Sequence, residues 1–130
     1  MSGRIKALVV DDEQIIREII EDILACGGDP VDVVAVGTCS EALCQAQTQQ
    51  YDVIFLDVCM EDGDGVEVLR QIRQLRPEAR IYMITGYQVD EQLQAALAEG
   101  AAGAIHKPFR VGEILSALRG TASEVTPLSD

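Results

Sequence analysis

Residues 7–12 read Ala7, Leu8, Val9, Val10, Asp11 and Asp12, a short aliphatic run that stops on two adjacent carboxylates. Three further runs end in the same manner. Val53, Ile54, Phe55 and Leu56 stop on Asp57; Ile81, Tyr82, Met83 and Ile84 stop on Thr85; Ala104, Ile105 and His106 stop on Lys107. Continuous apolar runs of this length suit strands buried on both faces of a parallel sheet. If the runs are parallel, the residues that end them meet at one edge, because ligands of open α/β sheets bind in the crevice beyond the carboxyl ends of the strands. Three carboxylates, a hydroxyl and an ammonium then share one small pocket.

The rest of the chain supports that reading. Strands are expected near 5–10, 31–36, 52–57, 80–85 and 102–106, and helical patterns alternate with them. Ile15, Ile16, Ile19, Ile20, Ile23 and Leu24 recur at helical spacing, with Gly27 and Gly28 as a stop. Ser40 is the expected cap of a second helix reaching about Gln50, and Asp64 that of a third reaching about Leu75, with Pro77 beyond its end. A fourth helix is expected over about 88–99, ended by Gly100. A fifth runs from about 110, with Val111, Ile114, Leu115 and Leu118 on one face. The order is (βα)5, and right-handed crossovers place helices on both sides of the sheet, a doubly wound three-layer sandwich.

The 130 residues suit one domain, and residues 121–130 lose the helical pattern and read as a tail or the start of a linker. No apolar stretch approaches the roughly 18 residues that cross a bilayer. The N-terminus lacks the apolar core of a secretory signal, so a cytoplasmic location is expected. Cys26, Cys39, Cys44 and Cys59 show no metal-ribbon spacing and are expected as reduced thiols. A formal charge of −12, from 22 acidic and 10 basic residues, argues against direct nucleic-acid binding.

Adjacent carboxylates repel unless a cation neutralises them, and a hard divalent ion such as Mg²⁺ suits oxygen ligands of this kind. Together with Lys107 it would offset the charge of an incoming phosphoryl group, leaving Asp57 as a nucleophile. With Val9–Glu13, Leu56-Asp57, Asp64-Gly65, Thr85 and Lys107-Pro108-Phe109 in this order at strand ends, the chain resembles the receiver domain of two-component response regulators over about residues 4–119. The resemblance implies a receiver domain at 1–120 with the flavodoxin-like strand order 2-1-3-4-5. It implies that Asp57 accepts a phosphoryl group from a sensor histidine kinase or phosphotransfer protein. Asp11, Asp12, Asp57 and the main-chain carbonyl of Cys59 would hold Mg²⁺, Lys107 would pair with the phosphate, and Thr85 would hydrogen-bond a phosphoryl oxygen. The bond before Pro108 would be cis. Downstream effectors would meet the face of helix four, strand five and helix five, where receivers also pair as homodimers. No metabolite would be turned over, only self-phosphotransfer and autodephosphorylation.

Two positions depart from the usual pattern. Ala104 stands where an aromatic residue commonly swings inward, which leaves His106 and Tyr87 as substitutes for that switch. Glu61 stands where proline often follows the loop methionine, here Met60, and suggests a flexible, more negative loop. The plain readings are a helix-capping turn for Asp11 and Asp12, and partly buried packing roles for His106, Tyr87 and Phe109. Glu61–Gly65 lacks the ligand spacing of a calcium-binding EF-hand loop.

Against the switch stands a phosphorylation-independent interaction module of the same fold. A flavin protein is disfavoured because Asp11–Gln14 lacks small residues to cradle a phosphate, and an aspartyl phosphohydrolase because Asp57 is followed by Val58 and Cys59 rather than an Asp-x-Asp pair.

Overall fold

Aliphatic and β-branched residues dominate the expected strands, and each of those strands forms. The computed structural model describes residues 4–86 and 90–120. Along the chain lie β1 (Ile5–Val10), α1 (Gln14–Cys26), β2 (Val31–Val36), α2 (Cys39–Thr48), β3 (Val53–Asp57), the two-residue strands β4 (Cys59–Met60) and β5 (Gly63–Asp64), α3 (Gly65–Leu75), β6 (Arg80–Thr85), α4 (Asp90–Ala98), β7 (Gly103–His106) and α5 (Val111–Arg119). The main sheet is parallel in the order β2-β1-β3-β6-β7, while β4 and β5 form a small antiparallel hairpin. Counting the five long strands alone, the order is 2-1-3-4-5, as expected of this flavodoxin-like α/β fold.

Strand alternation sorts the core into two layers. Leu8, Val10, Ile54, Leu56 and Met83 face α2, α3 and α4, where Ala42, Leu69, Ile72 and Ala96 are buried against them. Ala7, Val9, Phe55, Ile84 and Ile105 face the other way, onto Ile20 and Leu24 of α1 and Ile114 and Leu118 of α5. Every residue of β3 is buried, which is why its sequence is continuously apolar up to Asp57. Burying a side chain the size of Ile54 or Leu56 contributes about 1.5–3 kcal/mol relative to exposure, so this strand anchors Asp57 at its end.

The helix boundaries bring corrections. Thr38, not Ser40, caps α2: its side chain accepts a hydrogen bond from Glu41 N at 3.1 Å. Both residues are good caps, but only Thr38 has the extended backbone that aims its oxygen at the first turn. Asp64 caps α3 as expected, accepting from Val66 N. On α1 the apolar stripe is wider than the buried face, and Ile15 (64%) and Ile19 (41%) are exposed. Val111 of α5 is likewise exposed at 56%, while Ile114 and Leu118 are buried. Arginines from neighbouring elements close three helix ends. Arg119 donates to Gly27 O after α1, Arg76 to Ala46 O and Gln47 O of α2, and Arg80 to Ala117 O and Leu118 O of α5. A cation is favoured at the carbonyl end of a helix. Tyr87, the start of the fourth helix near 88, and residues 121–130 lie outside the described residues. Among the described residues, no helix is long and apolar enough to cross a membrane.

Candidate functional site

The sheet changes winding direction at β1: the chain leaves β1 through α1 on one face to reach β2, and passes back through α2 on the other face to reach β3. Val10 pairs with Leu56, so Asp11 and Asp57 leave the sheet side by side at this crossover. Asp57 is in turn level with Ile84 of β6, and Thr85 with His106 of β7. Lys107 follows, its amide donating to Thr85 O at 2.8 Å, and the Lys107–Pro108 bond is cis. Topology thus delivers residues up to 96 positions apart in the chain, Asp11 and Lys107, into contact.

Around them lies an open cleft of about 570 Å³, lined by Asp12, Glu13, Asp57, Cys59, Thr85 and Lys107 among others. Carboxylate oxygens of Asp11, Asp12 and Asp57 lie within 4.8 Å of one another. Asp11 and Asp57 are buried, whereas Asp12 is partly exposed. Lys107 Nζ stands 3.1 Å from Asp11 Oδ2, 3.0 Å from Glu13 Oε1 and 3.7 Å from Asp57 Oδ2. One ammonium therefore serves three of the four acidic groups, too little positive charge for the cluster.

Local backbone geometry orients each carboxylate. Glu13 N donates to Asp11 Oδ1 at 2.8 Å, Cys59 N to Asp57 Oδ1 at 3.1 Å, and Glu61 N to Asp12 Oδ2 at 2.9 Å. Arg17 holds the Asp11 carbonyl at 2.8 Å from the first turns of α1. Gly65 is required by close approach: a Cβ there would lie 2.3 Å from Asp57 O and 2.6 Å from Val58 O. That contact explains the Asp64-Gly65 pair in physical terms, since the chain must fold tightly under Asp57 to start α3.

Burial pushes the Asp57 carboxyl up to about 7, reinforced by the charges of Asp11 and Asp12 and opposed by the Cys59 amide and Lys107. Burial raises Asp11 as well, against the pull of the Glu13 amide and Lys107. For Lys107, burial opposes its charge, but the hydrogen bond to Glu13 and the charges of Asp57 and Asp11 outweigh burial and hold it above its ordinary value. The donor set fits a divalent cation. Its members are all oxygens, and Asp11 Oδ2 is buried without a hydrogen bond of normal geometry, balanced by the ion pair with Lys107.

The outlying expectations fare unevenly. Ala104 is buried at 1% and packs in the sheet beside Met83. His106 is exposed, not partly buried, because it is the last residue of β7, the edge strand of the sheet. Phe109 packs against the α1/α5 layer. Glu61 is exposed in a two-residue turn between β4 and β5. That loop is bonded to its surroundings at two points, Glu61 N to Asp12 and the Asp62 carboxylate to Cys39 N at 3.0 Å. Three contributors escape sequence reasoning. Glu13 pairs with Lys107, Asp62 grips α2, and Gln92 of α4 accepts a hydrogen bond from Cys59 Sγ at 3.2 Å. Only Glu13 carried a signal, its place in the run Asp11, Asp12, Glu13.

Known proteins share this arrangement. The family model for the response regulator receiver domain matches residues 7–119. The DNA-binding transcriptional activator DevR/DosR of Mycobacterium tuberculosis is 33% identical over 117 residues, 88% of this chain and 53% of the relative. The chain therefore spans about half the length of such relatives. A response regulator from Burkholderia pseudomallei, solved with a phosphorylated aspartic acid, calcium ion and citrate, superposes with a TM-score of 0.82 at 29% identity, covering 92% of this chain and 69% of that one. A CheY-like receiver domain protein from Methanospirillum hungatei gives a TM-score of 0.81 at 28% identity over 89% of this chain and 91% of its own. With its five-stranded sheet, its acidic cluster at the β1/β3 crossover and a family match over nearly its whole described length, the chain belongs to the response regulator receiver domain family of two-component systems.

Proposed function

We propose that the chain is a phosphorylation-dependent switch in which Asp57 is the phosphoacceptor. The observation that carries this is the placement of Asp57 at the β1/β3 crossover, with two further carboxylates within 4.8 Å and Lys107 Nζ 3.7 Å away. A carboxylate oxygen of Asp57 attacks the phosphorus of a phosphohistidine on a sensor histidine kinase or phosphotransfer protein. The P–N bond breaks, its electron pair stays on the imidazole, and an acyl phosphate forms. Water later attacks that phosphorus, breaking the P–O bond to Asp57 and restoring the carboxylate. Asp57 must be anionic to attack, and the burial that raises its pKa, reinforced by the charges of Asp11 and Asp12, is a cost that a bound cation would offset.

Asp11, Asp12, Asp57 and the Cys59 main-chain carbonyl would hold the divalent ion, Mg²⁺ in this proposal. When bound, it would neutralise the carboxylates and offset charge on the phosphoryl oxygens. Lys107, released from sharing between Asp11 and Glu13, pairs with the phosphoryl group, and the Thr85 hydroxyl donates to one of its oxygens. Both shifts act on the ends of β6 and β7. They bias the face formed by α4, β7 and α5, where an effector domain, effector protein or second copy would bind. Ala104 offers no aromatic ring to swing inward. The exposed His106, level with Thr85 on β7, is the described residue placed to take that part. The receiver unit spans residues 1–120, with 121–130 as tail or linker start. It acts in the cytoplasm, without direct nucleic-acid contact.

Intact mass after incubation with a small-molecule phosphoryl donor and Mg²⁺ tests the reading. A base-labile phosphoryl adduct is expected, absent without Mg²⁺ and absent in Asp57→Asn. Partner binding indifferent to donor and Mg²⁺, with no adduct from either a small donor or a kinase, would instead favour the constitutive interaction module.

A further inference from the structure

We propose that Asp62 is a positioning residue for the acidic cluster: by gripping the first amide of α2 it sets the turn whose Glu61 N–H orients Asp12. The proposal rests on the reading of Asp12 as a metal-holding carboxylate.

The loop from Asp57 to Gly65 is tied down at several points, and most of them lie within the site. Cys59 N bonds Asp57, Glu61 N bonds Asp12, and Gly65 N bonds Val58 O at 3.2 Å. Cys59 Sγ ties the start of the loop to Gln92 of α4, and Asp62 ties the turn itself to α2. Both its carboxylate oxygens accept from Cys39 N, at 3.0 and 3.1 Å. The start of α2 is where an acceptor is favoured twice over, by an unsatisfied amide and by the helix dipole. Thr38 already serves Glu41 N in that first turn, so Asp62 supplies the cap that Thr38 does not.

Packing holds the same junction. A Cβ at Gly63 would lie 3.0 Å from Cys39 Sγ, so the hairpin packs closely on α2 at a residue without a side chain. The β4–β5 pairs, Cys59 with Asp64 and Met60 with Gly63, make this turn short and leave Glu61 and Asp62 as its two corner residues. Their roles then divide: the Asp62 side chain points to α2, and the Glu61 backbone points to Asp12 Oδ2 at 2.9 Å. Releasing the first contact lets the second drift. The partner that orients a metal-holding carboxylate typically matters tenfold or more in affinity.

Mg²⁺ titration by calorimetry on the full chain, comparing native protein with Asp62→Ala and Asp62→Asn, separates positioning from charge. Asparagine caps a helix about as well as aspartate, so Asp62→Asn is expected to bind Mg²⁺ within about twofold of native. Asp62→Ala is expected to bind about tenfold more weakly, with faster hydrogen exchange at the Cys39 amide. Equal weakening in both variants would mean that Asp62 acts only through its charge and would overturn the proposal. Native affinity in Asp62→Ala, or weakened affinity with an unchanged Cys39 amide, would overturn it too. A native chain that binds no Mg²⁺ at all would bring down the metal reading and this proposal together, an outcome visible in the first titration.

Discussion

At Asp57 the chain does something most sequences avoid: it buries a carboxylate beside two others with a single ammonium for company. The consequence for stability has a definite sign. The folded-state pKa, about 7, lies above the ordinary carboxylate value of 3.8, so between these values the folded protein binds more protons than the unfolded chain. The contribution of Asp57 to the stability of the metal-free protein therefore falls as pH rises from about 4 to about 7. Asp57→Asn removes the charge and is expected to raise the unfolding free energy at pH 8 without metal by about 1–3 kcal/mol, measured by urea denaturation. The same titration governs metal binding, since proton and cation compete for one carboxylate. Mg²⁺ affinity should climb as pH rises toward about 7 and level off above it. A calorimetric affinity that does not change between pH 5.5 and 8 would contradict this assignment.

At the scale of elements, helix ends are where local signals are ambiguous. Thr38 and Ser40 are both competent caps, and composition does not separate them. The backbone at Thr38 is extended, with φ −135° and ψ 158°, whereas Ser40 already lies inside α2. Thr38→Ala is accordingly expected to cost about 1 kcal/mol and Ser40→Ala less than about 0.5, both read from denaturant midpoints. The stripe on α1 shows a related ambiguity. Six apolar residues fit the helical period, but a helix resting on one sheet buries only the arc that faces it. Ile20 and Leu24 occupy that arc, while Ile15 and Ile19 stand outside it. The C-terminal ends of α1 and α2 lack basic residues of their own in the last turn and receive Arg119 and Arg76 from elsewhere in the fold.

Across the whole molecule, the acidic surplus and the acidic cluster act in the same direction. A chain of formal charge −12 repels itself when compact, and three of its carboxylates crowd together at the site. A cation that binds there stabilises the fold by mass action, by about 2.7 kcal/mol at a hundredfold excess over its dissociation constant. Mg²⁺ at that excess should raise the melting temperature of the native chain and leave Asp11→Asn nearly unmoved, measured by calorimetric scans. The same shift in both proteins would indicate general charge screening rather than occupation of this cluster.

The sequence by itself determined the strands and the residues that end them, because a parallel sheet buried on both faces demands continuous apolar runs and its topology sends their carboxyl ends to one edge, while the strand order came from the resemblance to receiver domains. Asp11, Asp12, Asp57, Thr85 and Lys107 were legible for that reason. Tertiary structure alone decided which good cap is used, which side of α1 faces water, that His106 is exposed, and that the Glu61 turn is held by Asp12 and α2. Each of these depends on where a backbone amide or a neighbouring layer lies in space. Glu61 and Asp62 meet residues 49 and 23 positions away, and no local period or composition encodes a contact at that separation.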